Sequence, residues 1–175
     1  MKMALARVNE FEIPYCRFFN RINQKKLINR FFGLVSRLGD GLLWYTIMAV
    51  LPLFYGMPGL RISLIMGLTG IGGLLIYKLM KSSTKRRRPF VYSGDITQGV
   101  RALDQFSFPS GHTLHASGFA TILVLYFPEW SLPVVIFATL VALSRLVLGL
   151  HYPSDVAIGA IIGYTLAQVN IALLG

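Results

Sequence analysis

Five runs of apolar residues dominate the chain: Gly41–Met57, Leu60–Met80, His112–Pro128, Ser131–Leu150 and Ser154–Leu174. Each is 17–21 residues long, within the roughly 17–25 that a helix needs to cross a bilayer core. The solvent forces the helical reading, because backbone polar groups in lipid must be bonded within their own segment. Barrel strands would alternate polar and apolar positions over about ten residues, and these runs do not. Ahead of the first run, Leu27, Phe31, Leu34, Val35 and Leu38 fall on one helical face, interleaved with Lys25, Lys26, Arg30 and Arg37. That pattern predicts an amphipathic helix lying in the membrane surface. It lacks the apolar core and small-residue cleavage site of a signal peptide. The expected fold is therefore an all-α polytopic membrane helix bundle with five spans. Residues 1–38 form an N-terminal interfacial segment and residues 39–175 the membrane domain.

The connections fix which ends meet. The turns at Pro58–Gly59 and Glu129–Trp130 are short, whereas Lys81–Gly111 is long and polar. Five spans then place residues 1–40, 81–111 and 151–153 on one face. Composition agrees with a membrane protein: of 175 residues 54% are hydrophobic and only 14% charged, against roughly 25% charged in soluble domains. Disorder is excluded by the same figures. The net charge is +10, with eight of the 17 basic residues in 1–38 and seven in 78–101. These charges flank apolar runs rather than covering a soluble face, so the expected partners are anionic membrane lipid head groups or a phosphorylated substrate, not nucleic acid. A lone cysteine, Cys16, excludes an internal disulfide.

Candidate chemistry begins with Arg145, five residues short of the end of its run. It is thus about 8 Å deep at ~1.5 Å per residue, where a charge is costly and usually functional. Lys81 and Lys85–Arg88 follow the second run, as a topology signal or an anion site. His112 stands in Phe108-Pro109-Ser110-Gly111-His112-Thr113, where a span begins. Free N–H groups at a helix start bind anions, and Gly111 allows a ligand to approach the backbone. His151 precedes Tyr152-Pro153-Ser154-Asp155. An aspartate in that first turn can fix one imidazole nitrogen and leave the other nucleophilic. His115 reads as packing. Zinc is the competing reading, since His112, His115, His151 and Asp155 supply enough ligands. The cations on the same face would repel it, so no metal and no cofactor are expected.

Three motifs together carry a resemblance. Lys81 to Pro89 reads K-x-x-x-x-x-x-R-P, Pro109–His112 reads P-S-G-H, and Ser144 to Asp155 reads S-R-x-x-x-x-x-H-x-x-x-D. Residues 40–174 resemble the type 2 phosphatidic acid phosphatase superfamily. The resemblance implies a metal-independent membrane phosphatase in which His151 attacks phosphorus, Asp155 orients it and His112 protonates the leaving oxygen. Lys81, Arg88, Arg145, Ser110 and Gly111 would hold the phosphoryl oxygens, with Lys85, Arg86 and Arg87 at variable positions. Members usually have six spans; here the first is expected to be missing. The implied substrates are undecaprenyl diphosphate, phosphatidylglycerol phosphate, phosphatidic acid or a lipid A phosphate. The implied location is the bacterial cytoplasmic membrane, with the site on its outer face, although the positive-inside rule alone would place that face in the cytoplasm. A non-enzymatic anionic-lipid binder or transporter would account for the basic cluster but not for two histidines and an aspartate at these spacings.

Overall fold

The computed structural model describes the backbone of residues 2–175 and the side chains of residues 6–175. Among the described residues the regular elements are helices, without strands: α1 (Lys2–Asn20), α2 (Lys26–Arg37), α3 (Leu43–Thr84), α4 (Pro89–Tyr92), α5 (Gly111–Tyr126), α6 (Ser131–Val147) and α7 (Pro153–Leu174). The apolar stretch inside residues 26–92, α6 with its leading turn, and α7 are long and apolar enough to cross a membrane. Their outward faces carry bare apolar side chains, among them Leu53 at 80%, Phe54 at 79%, Leu132 at 72% and Leu173 at 75% exposure. No water-facing domain leaves a belt of this extent uncovered.

α3 contains two of the expected runs. Its backbone leaves the helical region at Gly56 (φ 58, ψ −136), a conformation that glycine reaches at little cost. The Ser63 hydroxyl donates to the Met48 carbonyl at 2.8 Å across this break, so the two halves fold back against each other. At 16 residues α5 is shorter than the other long helices. It is the central helix, packed against α3, α6 and most extensively α7. The tight α5–α7 contact rests on small residues: a Cβ at Gly163 would lie 2.0 Å from the Leu114 carbonyl oxygen, and one at Gly159 2.6 Å from that of Ser110. Trp44, Leu51, Ile65, Met66, Phe119, Ile122, Leu123 and Val141 fill the core around α5.

The stretch expected to be amphipathic falls on α2, with Leu27, Phe31 and Leu34 exposed and Val35 and Ser36 buried. The sequence reading did not foresee α1 as a helix packed on the polar end of the bundle. Asn20 donates to the carbonyls of Thr97 and Val147, each at 2.9 Å, and Asn23 to that of Thr97 at 3.1 Å. Residues 9–40, the segment 86–107 and the α6–α7 loop thus meet at one end, as the connection lengths required. At the opposite end Arg61 donates to the carbonyls of Leu174 and Gly175 at 2.9 and 2.6 Å.

Candidate active site

Local backbone features deliver the histidines. α6 ends at Val147, and Gly149 takes a positive φ of 71°. The chain then wraps so that the N–H groups of Leu150 and His151 both donate to the Arg145 carbonyl, at 3.0 and 3.2 Å. This places His151 back over Arg145. α7 begins with Pro153 in its first turn, and Asp155 at the third position accepts the Tyr152 N–H at 2.9 Å. α5 begins at Gly111, with Ser110 as its N-cap, which sets His112 in the first turn. Between α2 and α3, a widened π turn at Leu38–Leu42 carries Asp40 toward that same first turn.

A cavity of about 120 Å³ lies between these elements, lined by Lys81, Arg88, Gly111, His112, Arg145 and His151, together with Asp40 and Asp104. Six of the eight residues singled out by sequence therefore share one wall. The other two lie behind it. Ser110 is fully buried, its hydroxyl facing the Thr113 N–H and sharing a 3.0 Å bond with the Thr113 hydroxyl; it caps α5 rather than facing the cavity. Asp155 is 0% exposed. His115 also reaches the cavity, with its ring stacked on Phe119 at 5.6 Å.

Arg88 determines the state of His151. One of its terminal nitrogens lies 3.1 Å from His151 Nε2 and 2.8 Å from the Leu150 carbonyl. A guanidinium can only donate, so Nε2 must accept, and in neutral imidazole the proton sits on Nδ1. Nδ1 faces Asp155 Oδ2 at 3.5 Å. Burial, and then the charges of Arg88, Arg145 and Lys81, push the His151 pKa well below its usual range. The result is a neutral imidazole on the cavity wall, held among cations, whose one in-plane lone pair accepts from Arg88.

The phosphate-binding candidates are already engaged. Lys81 Nζ contacts both oxygens of Asp104, at 2.7 and 2.9 Å, and Arg88 contacts one of them at 2.9 Å. Burial opposes charge on Asp104, but Lys81 and Arg88 more than offset it, and its pKa lies below the usual carboxylate range. Arg145 is 2% exposed, donates to Ser36 Oγ and leaves its Nε without a partner among the described residues. His112 Nε2 pairs with Asp40.

The largest correction concerns Arg86, read from sequence as a variable position. Its side chain is buried, whereas those of Lys85 and Arg87 are exposed. Lys85 adopts a left-handed conformation (φ 48) and Arg88 an extended one, so alternate residues of the turn point inward. Arg86 contacts Asp155 and Glu12, each at 2.6 Å, donates to Ser154 Oγ at 2.7 Å and Asn9 Oδ1 at 2.9 Å, and stacks on Tyr152. Asp155 also accepts from the Ser107 hydroxyl. Sequence reasoning missed Asp40, Asp104, Ser107, Glu12 and Ser36 as well. The available signal was thin: Asp40, Asp104 and Glu12 are three of only seven acidic residues in a strongly basic chain.

Comparison with known proteins gives the family and the fold. The PAP2 superfamily profile matches residues 58–174, and the chain belongs to that superfamily of phosphatases. An undecaprenyl-diphosphatase of Sulfolobus acidocaldarius is 26% identical over 93% of this chain and 78% of its own length. A decaprenylphosphoryl-5-phosphoribose phosphatase of Mycobacterium tuberculosis is 33% identical, covering 77% of this chain and 74% of that protein. The fold matches the crystal structure of LpxE from Aquifex aeolicus with a TM-score of 0.77 at 23% identity, over 93% of this chain and 95% of that one. It also matches the PAP2-type phosphatidylglycerolphosphate phosphatase of Bacillus subtilis with a TM-score of 0.73 at 22% identity, over 98% and 94%.

Proposed function

We propose that this protein hydrolyses a phosphomonoester or diphosphate of a membrane lipid through a phosphohistidine. The observation that carries the reading is His151 lining a cavity walled by Lys81, Arg88 and Arg145, with Arg88 on its Nε2; phosphate contact would draw Arg88 off that nitrogen and free its lone pair. In the first step Nε2 attacks phosphorus; the P–N bond forms, the P–O bond breaks, and the leaving oxygen takes a proton from His112. In the second, water attacks phosphorus, His112 accepts its proton, the P–N bond breaks and inorganic phosphate departs. Asp155 acts through His151: it stabilises the Nδ1 proton and the positive charge that develops on the ring. Lys81, Arg88, Arg145 and the N–H groups at the start of α5 hold the phosphoryl oxygens. Positioning and electrostatics are what phosphoryl transfer chiefly requires. The same cations supply the charge that a metal would otherwise bring, so the reaction is expected to need none. Substrate contact would displace Asp104 from Lys81 and Arg88.

Five spans, with the α3 halves counted separately and α2 lying in the interface, would set the cavity where an amphiphile presents its phosphate while its tail stays in lipid. The two curated relatives, named for prenyl diphosphate and prenylphosphoryl-phosphoribose substrates, support a lipid phosphate. The test is phosphate release by purified protein from undecaprenyl diphosphate, phosphatidylglycerol phosphate, phosphatidic acid and lipid A in detergent micelles, with His151→Ala alongside. Release by wild type and its loss in the variant are expected. Equal release by both proteins would overturn the mechanism.

A further inference from the structure

A second cavity, of about 490 Å³, adjoins the first and shares Asp40, Leu103, His112 and Arg145 with it. Its outer wall carries Arg30 and Arg37 from α2 and Arg101 from the loop before α5. These three guanidinium groups are exposed and form no ion pair among the described residues. Asp40 is the one acidic group on that wall, and its carboxylate is taken by His112. Arg30 and Arg37 lie outside the stretch that matches the superfamily profile, and Arg101 lies within it, so the wall joins the N-terminal segment to the loop before α5.

Position determines what the vestibule can hold. His112 lines both cavities, and a group that protonates the leaving oxygen must stand on the leaving-group side of phosphorus. Whatever departs from the transferred phosphoryl group therefore departs past His112, toward Arg30, Arg37 and Arg101. A neutral lipid alcohol gains nothing from three unpaired guanidinium groups. A leaving group that retains a phosphate gains charge-assisted, bidentate contacts, and its negative charge is stabilised as the P–O bond breaks.

We infer that the vestibule is an anion subsite for a phosphorylated leaving group, so that a lipid diphosphate, cleaved to lipid monophosphate and inorganic phosphate, is preferred over a lipid monophosphate. This rests on the lipid phosphatase reading above. The subsite is tested with farnesyl diphosphate and farnesyl monophosphate, which share one tail. Wild type should show the higher kcat/KM on the diphosphate. In the Arg37→Gln/Arg101→Gln double variant the ratio of the two kcat/KM values should fall roughly tenfold or more, the scale of two lost charge-assisted contacts at an exposed wall. An unchanged ratio, or an equal loss on both substrates as membrane-docking arginines would give, overturns the inference. Titration calorimetry with inorganic pyrophosphate and orthophosphate separates the two readings without turnover. Tighter binding of pyrophosphate by wild type but not by the double variant supports the subsite even if neither lipid is hydrolysed, an outcome that would sink only the phosphatase reading. Equal binding of the two anions by wild type counts against the subsite.

Discussion

In the proposed mechanism His151 is the attacking base, and a weak one. Its burial and the charges of Arg88, Arg145 and Lys81 disfavour the imidazolium, so the nucleophilic form persists well below the ordinary histidine range near pH 6.5. The acid limb of kcat/KM assigned to this group should accordingly lie below pH 6.5. Lys81→Gln removes one of the lowering charges, which raises the pKa and moves that limb to higher pH, besides weakening phosphate contact. A limb that stayed in place or moved to lower pH in a pH-rate profile would contradict the assignment. His112→Ala should reduce kcat by ~10²–10⁴-fold, the usual value of general acid–base help. The loss should be smaller on a substrate with an activated leaving group such as p-nitrophenyl phosphate, which needs less protonation; comparing the two substrates checks the role.

At the level of elements, Arg86 ties α1 to α7. Its guanidinium neutralises two buried carboxylates, Asp155 and Glu12. Arg86→Ala leaves both uncompensated and should cost about 3–5 kcal/mol of stability, read as lower detergent-solubilised thermal stability. Arg86→Lys should recover little, since one ammonium cannot span partners on α1 and α7 with a planar fork. Full rescue by lysine would reduce the contact to a simple point charge. The seam between α5 and α7 is equally exacting. In Gly163→Val the new Cβ meets the Leu114 carbonyl oxygen at 2.0 Å. Because backbone cannot move aside as a side chain does, the helices must separate and shift His112 relative to His151. Overpacking of this kind costs ~1–3 kcal/mol or more, and activity should fall further than stability does.

For the whole molecule, the positive lining of the cavity predicts full activity in excess EDTA and inhibition by vanadate, an oxyanion suited to the same cradle. Activity lost to EDTA and restored by zinc or magnesium would show that the side-chain cations are not sufficient. The side of the membrane follows from labelling. With Cys16→Ala and a cysteine introduced at exposed Gln98, an impermeant thiol reagent should modify the protein on intact spheroplasts if the site faces outward. Modification only after lysis would put it in the cytoplasm, where the charge of residues 1–38 alone would place it.

Much of this protein was legible along the chain, because lipid is an undemanding reader of sequence: a run of apolar residues either spans or does not, and loop length decides which ends meet. The bundle, its helix starts at Gly111 and Pro153, and the convergence of Lys81, Arg88, His112, Arg145 and His151 follow from those local rules. Tertiary structure alone settled which charges answer one another. The break at Gly56 folds α3 on itself, and the left-handed Lys85 turns Arg86 inward and Arg87 outward; neither follows from composition. The pairings of Asp104 with Lys81 and Arg88, Asp40 with His112, and Glu12 with Arg86 join residues 16 to 74 positions apart in the chain. Periodicity reports only on neighbours within a turn or two, whereas a buried charge takes its partner from whatever the packed helices bring within about 3 Å.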